Sequence, residues 1–281
     1  MVTGPIVVGF DGTEDAVAAA VWAVDEAASH GAPVRLLYAC QPGMACPCAP
    51  WPAAAARAQA ESVVDAGVSA ARAARPGVTV TGAVLAGPPH VILTMQSHHA
   101  SLVVVGSRGP DRFTGPVLGS VGLALAAHAH CPVTVVREPE HPSAGAGHVL
   151  VGLDGSAMSL RALAFGFDYA DRRGLAVHTI QAWSAPRHHD RDAVPDRAHG
   201  HLAATVAAWK DKFPRVSTTW EMARGPAAEV LVEASRRAQL AVVGPRGAGE
   251  YSRLPLGTVG QHLLRHGHCP VVVVREPGDC N

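Results

Sequence analysis

Two stretches of this chain, one in each half, place glycine and hydroxyl residues where an anion could be held. Gly106-Ser107-Arg108-Gly109 is followed after nine residues by Gly119-Ser120. Gly244-Pro245-Arg246-Gly247 is followed at the same spacing by Gly257-Thr258. Glycine permits positive φ and close approach of the backbone to a ligand. A hydroxyl residue opening a helix adds unpaired N–H groups and the positive end of the helix dipole. The pattern G-x2-G-x9-G-[ST] is therefore an anion cradle, and it occurs twice. A lysine-based phosphate loop is a different device, and the chain has no glycine-lysine pair to build one; its only lysines are Lys210 and Lys212.

A second constellation is a carboxylate at the end of an apolar run. Ile6-Val7-Val8-Gly9-Phe10-Asp11-Gly12-Thr13 recurs as Val149-Leu150-Val151-Gly152-Leu153-Asp154-Gly155-Ser156. Thr13 and Ser156 read as helix caps. Asp11 and Asp154 divide between shaping the turn and contacting a ligand or a water-held magnesium ion.

These residues need elements to position them. Apolar runs near Ile6–Phe10, Val34–Ala39, Val78–Leu85, Leu102–Val105 and Val133–Val136 read as strands. Helical stretches lie near Asp15–Ser29, Ala53–Ala74, Val91–His98 and Val121–Ala129. In the first helix Val17, Val21, Val24 and Ala28 fall at helical steps and predict one packed face. The second half repeats the strands as Val149–Leu153, Val177–Ala182, Val216–Met222, Leu240–Val243 and Val271–Val274. Alternating strands and helices predict an α/β fold of two tandem doubly wound, Rossmann-like domains, each with a five-stranded parallel sheet. A ligand crevice then lies beyond the carboxyl ends of the strands. The domains are expected at 1–137 and 148–281, joined by a Pro- and Gly-rich linker at 138–147.

Carried on Val8-Gly9-Phe10-Asp11-Gly12-Thr13, Val104-Val105-Gly106-Ser107-Arg108-Gly109, Phe113, Leu118-Gly119-Ser120-Val121 and Cys131-Pro132-Val133, the chain resembles the universal stress protein family, as two fused copies. The resemblance implies an ATP-binding regulatory protein of the stress response, with magnesium as a further ligand. It implies a first site of Asp11, Ala39, Val105, Gly106, Arg108, Gly109, Gly119, Ser120 and Val121. The second is Asp154, Ala182, Val243, Gly244, Arg246, Gly247, Gly257, Thr258 and Val259. Phosphate contact by Arg108 and Arg246 is inferred from charge and loop position. Pro245, standing where Ser107 does, lacks an N–H, and Arg253 stands where Gly115 does; the second cradle is expected to hold its ligand more weakly. The family joins domains through final-strand edges, so Val133–Val136 and Val271–Val274 predict intrachain pairing or a homodimer. A regulatory protein partner is expected and its identity is open. An enzyme is the alternative: slow ATP hydrolysis by a bound metal and arginine, without a Walker lysine, a nucleophile–base pair or a substrate domain. A nucleotide-independent scaffold is the third reading.

Bulk properties narrow the field. With 23 basic and 23 acidic residues in 281, the net charge is zero and gives no basic surplus for nucleic acid. No apolar run is long enough to span a bilayer, and Met1–Gly4 lacks the start of a signal peptide, so a cytoplasmic protein is expected. Cys131 and Cys269, at matching places before an apolar strand, read as core residues. Cys46 and Cys48 flank Pro47 and read as reduced thiols, with a metal or redox role as the minor alternative. His262 and His266 share a helix face near His268, a spacing able to bind metal, but no third ligand or orienting group is evident. His188, His189, His199 and His201 receive no role.

Overall fold

The computed structural model describes residues 4–40, 54–109, 119–137, 147–183, 196–248 and 254–275. The chain divides into two compact units, Met1–Glu138 with Arg275–Asn281, and Pro139–Val274. In the first unit the chain runs β1 (Ile6–Gly9), α1 (Glu14–His30), β2 (Val34–Cys40), α2 (Ala54–Ala74), β3 (Val80–Ala86), α3 (Pro89–Gln96), β4 (Leu102–Gly106), α4 (Ser120–His128) and β5 (Val133–Val136). The strands are parallel in the order β3-β2-β1-β4-β5.

The second unit repeats the plan. It runs β6 (His148–Gly152), α5 (Ala157–Arg173), β7 (Ala176–Trp183), α6 (Asp196–Lys212), β8 (Thr218–Arg224), α7 (Ala227–Ala234), β9 (Ala238–Val243), α8 (Thr258–His266) and β10 (Val271–Val273). Its parallel order is β10-β9-β6-β7-β8. Each unit is thus the expected doubly wound five-stranded sheet. The first strand of each pairs on one side with the second and on the other with the fourth, so strand order reverses there. That reversal opens a crevice at the carboxyl ends of β1 and β4, and of β6 and β9.

The packed face of α1 differs from the one predicted. Val17 and Val21 are 37% and 42% exposed and Ala28 is exposed; of the predicted set only Val24 is buried. The buried stripe is instead Ala16, Ala19, Ala20, Ala23, Val24 and Ala27. Both sets have helical spacing, and closeness of approach decides between them. A Cβ placed on Gly106 would lie 2.7 Å from the backbone carbon of Asp15. With α1 this near β4, only small side chains fit beneath it, and the valines turn outward.

Candidate functional site

Each crevice begins with an Asp-Gly-hydroxyl turn. Gly12 and Gly155 both have φ of 82°, a left-handed conformation that side chains rarely adopt. In the first unit the Thr13 N–H and hydroxyl donate to Oδ1 of Asp11 at 3.0 and 2.6 Å. The Thr13 oxygen in turn accepts the Ala16 N–H at 3.3 Å and caps α1. In the second, Oδ1 of Asp154 accepts the Ser156 N–H at 2.9 Å, and Ser156 caps α5 by accepting from Ser159. One oxygen of each aspartate therefore shapes the turn.

The glycine signatures converge on the same crevices. The Gly119 N–H donates to the Ser107 carbonyl at 2.9 Å, and the Gly257 N–H to the Pro245 carbonyl at 2.7 Å. A Cβ on Gly119 would lie 3.7 Å from the Gly109 nitrogen, and one on Gly257 3.8 Å from the Gly247 nitrogen. Two separated glycine pairs are thus one surface in each unit. Gly119 and Gly257 are the N-cap residues of α4 and α8, and neither helix has a side-chain cap. Their first-turn N–H groups have no partner within the helix, and the positive dipole end lies there. Ser120 and Thr258 are exposed at that turn, and Val121 and Val259 are partly buried beside them. Val105 and Val243 are 5% exposed, each just ahead of the first signature glycine. Ala39 and Ala182 stand near the ends of β2 and β7, beside the first strand of their units.

The signature glycines have different tasks. Gly106 and Gly244 face the first turn of α1 or α5, where an added Cβ would meet Asp15 or Met158 backbone atoms at 2.7 and 3.0 Å. Close packing of strand and helix fully accounts for them. An added Cβ would be 2.6 Å from the Asp154 carboxylate on Gly247, and 3.8 Å from that of Asp11 on Gly109. Among the described residues, on Gly119 and Gly257 it would meet nothing closer than 3.6 and 3.5 Å, respectively. That pair has room for a side chain at both positions, which neither other signature glycine pair has among the described residues.

Asp15, which the sequence reading passed over, governs the loop of the first unit. Its Oδ2 accepts the Ser107 hydroxyl at 2.6 Å and the Arg108 N–H at 3.0 Å. The Arg108 guanidinium adds contacts of 3.2 Å to each oxygen. Burial pushes the Asp15 carboxyl upward, but the hydrogen bonds and charge from Arg108 and Ser107 outweigh it and hold the pKa below the ordinary carboxylate value. Asp154 is likewise held low: burial raises it, and the hydrogen bonds of Ser156, Ser159 and the Ala248 N–H prevail. Tyr38, on β2, has its phenol pushed up by burial and by the nearby Cys40 and Asp11, so it stays protonated at neutral pH.

Cys131 and Cys269 are core residues, each 1% exposed, and burial pushes the Cys131 thiol up to about 12. The rings of His262 and His266 lie 4.5 Å apart on α8. Among the described residues no group of three or more His, Cys, Asp or Glu is arranged to hold a metal. No described helix is long and apolar enough to cross a membrane. Cys46, Cys48, Phe113, Gly115, Arg253, His188 and His189 lie outside the described residues.

Comparison with known proteins gives a consistent answer. The sequence profile described as "Universal stress protein family" matches residues 3–137 and again 146–275. A universal stress protein of Mycobacterium tuberculosis is 34% identical over 293 residues, spanning 96% of this chain and 96% of that protein. One from Mycobacterium bovis is 31% identical over 285 residues, spanning 96% and 97%. Among solved structures, a universal stress protein from Archaeoglobus fulgidus shares the fold with a TM-score of 0.76 at 19% identity, covering 99% of this chain and 98% of the other.

Proposed function

This chain belongs to the universal stress protein family, and on that premise we propose that its units bind adenine nucleotides, ATP foremost, as a regulatory element of a cytoplasmic stress response. The observation that carries the reading is the convergence of Gly109 and Gly119 on the uncapped start of α4, duplicated by Gly247 and Gly257 at α8. A polyphosphate fits that surface. Among the described residues it has room at Gly119 and Gly257, is rich in backbone donors, and carries the exposed hydroxyls of Ser120 and Thr258.

In this reading the N–H groups of the first turn of α4 or α8 take phosphate oxygens, with Ser120 or Thr258 adding a hydroxyl. Ala39 and Ala182 leave room for the base at the ends of the second strands. Oδ2 of Asp11, which has no hydrogen bond among the described residues, accepts from a ribose hydroxyl or orients water on magnesium. Occupancy then sets the conformation of the glycine loops and the surface a partner meets.

The test combines Gly119→Glu with Gly257→Glu in the full chain. Among the described residues a Cβ meets only ordinary contacts at both positions, so the variant is expected to fold. The glutamates fill the crevice side and set a negative charge beside the phosphates. Each charge-assisted hydrogen bond lost is worth roughly 1.5–3 kcal/mol, about ten- to hundredfold in affinity. Mass spectrometry of ligand released from the denatured parent identifies the nucleotide, and calorimetry compares the two proteins. A folded double variant that binds ATP like the parent sinks this assignment.

A further inference from the structure

The two units tie the same loop to different anchors. In the first, the Asp15 carboxylate takes the Ser107 hydroxyl, the Arg108 N–H and the Arg108 guanidinium. In the second, Met158 stands in the Asp15 position against Gly244, and Pro245 replaces Ser107. There the Ala248 N–H donates to Oδ2 of Asp154 at 2.7 Å. The matching residue of the first unit is Pro110, which has no N–H to give. Among the described residues, Asp15 anchors the loop of the first unit and Asp154 takes an N–H of the loop in the second.

The choice of anchor changes what the crevice offers. Each oxygen of Asp154 accepts one N–H, Oδ1 from Ser156 and Oδ2 from Ala248. Among the described residues, Asp11 has no hydrogen bond at Oδ2, which lies beside Gly109. The first unit, however, holds a fixed carboxylate against the peptide that adjoins the cradle. The Ser107 carbonyl receives the Gly119 N–H at 2.9 Å, and a Cβ on Gly119 would be 3.9 Å from the Arg108 carbonyl carbon. Asp15 also offsets the charge of Arg108.

We propose that the two units sort adenine nucleotides by phosphate charge, the first preferring nucleoside and monophosphate and the second preferring the polyphosphate. This rests on the nucleotide reading above and deepens it. An uncharged ribose gains an acceptor at Asp11, whereas each added phosphate meets repulsion from Asp15. In the second unit the matching oxygen already accepts the Ala248 N–H and is the poorer acceptor for a sugar, and no carboxylate stands at position 158 to oppose phosphate. Proline for Ser107 thus removes a donor together with the acid it served.

The experiment uses the full chain with one cradle blocked, Gly257→Glu to read the first unit and Gly119→Glu to read the second. AMP and magnesium-free ATP are titrated by calorimetry into each. The ratio of AMP affinity to ATP affinity is expected to be at least about tenfold higher in the first unit, since two further charges face Asp15 at an effective dielectric between water and protein. Asp15→Asn in the Gly257→Glu chain lowers that ratio by about tenfold. The reciprocal Met158→Asp in the Gly119→Glu chain raises it, and supplies an independent reading should Asp15→Asn fail to fold. Ratios agreeing within about threefold in the two units, or unmoved by both charge substitutions, overturn the sorting while leaving the nucleotide assignment intact. A parent chain that binds neither AMP nor ATP overturns the nucleotide assignment and the sorting with it.

Discussion

Asp15 accepts hydrogen bonds from the Ser107 hydroxyl and from the N–H and guanidinium of Arg108, and these hold the loop only while the carboxyl is ionised. Its pKa in the folded chain is depressed. The stability it contributes is therefore fully present above the unfolded value of about 3.9 and is lost as pH falls through the lower folded value. Asp15→Asn is expected to cost about 1 kcal/mol at pH 7, the guanidinium part being small because Arg108 is exposed. The gap between variant and parent closes as pH drops through the carboxylate range. Denaturant unfolding of both proteins from pH 7 to pH 3 checks this, and a gap that persists undiminished into acid contradicts the charge argument. Asp15 was illegible in the sequence, where Glu14-Asp15 reads as an acidic first helical turn. Its partner Ser107 is 92 residues away and only the fold brings them together. Asp11 was legible because it ends an apolar strand, a place that doubly wound sheets assign to ligands.

At the scale of elements, the strands followed from apolar runs alternating with helical stretches, and every predicted strand is present within a few residues. The orientation of α1 about its own axis did not follow. Valine and alanine sets shared one periodicity, and the separation of α1 from β4 chose the alanines. That separation makes a prediction. Gly106→Ala brings a methyl group to 2.7–2.8 Å from Asp15 atoms, which must shift, so it should cost about 1–3 kcal/mol. Gly119→Ser, with φ of −59° and only ordinary contacts for its Cβ among the described residues, should change stability by less than about 0.5 kcal/mol and supplies a cap oxygen to α4. Chemical denaturation of the two variants beside the parent decides it. Equal losses at both positions would remove the distinction between packing glycines and crevice glycines.

Over the whole molecule, duplication repeated a five-stranded parallel sheet with its covering helices. The duplication also left one cysteine in the same buried place in each unit, Cys131 and Cys269, both 1% exposed. Only thiolate reacts with a disulfide reagent, and with a pKa of about 12 roughly one Cys131 in ten thousand is ionised at pH 8. Labelling must therefore wait until the unit opens. With the other cysteines replaced by serine, the two thiols become clocks, each reporting how often its own half comes apart. In the regime where reclosing outpaces labelling, the rate follows the open population. A nucleotide at about 100 times its dissociation constant should slow the clock of the unit it occupies by about a hundredfold. Read with AMP and then with ATP, the two clocks tell which half each ligand holds shut, with neither cradle altered.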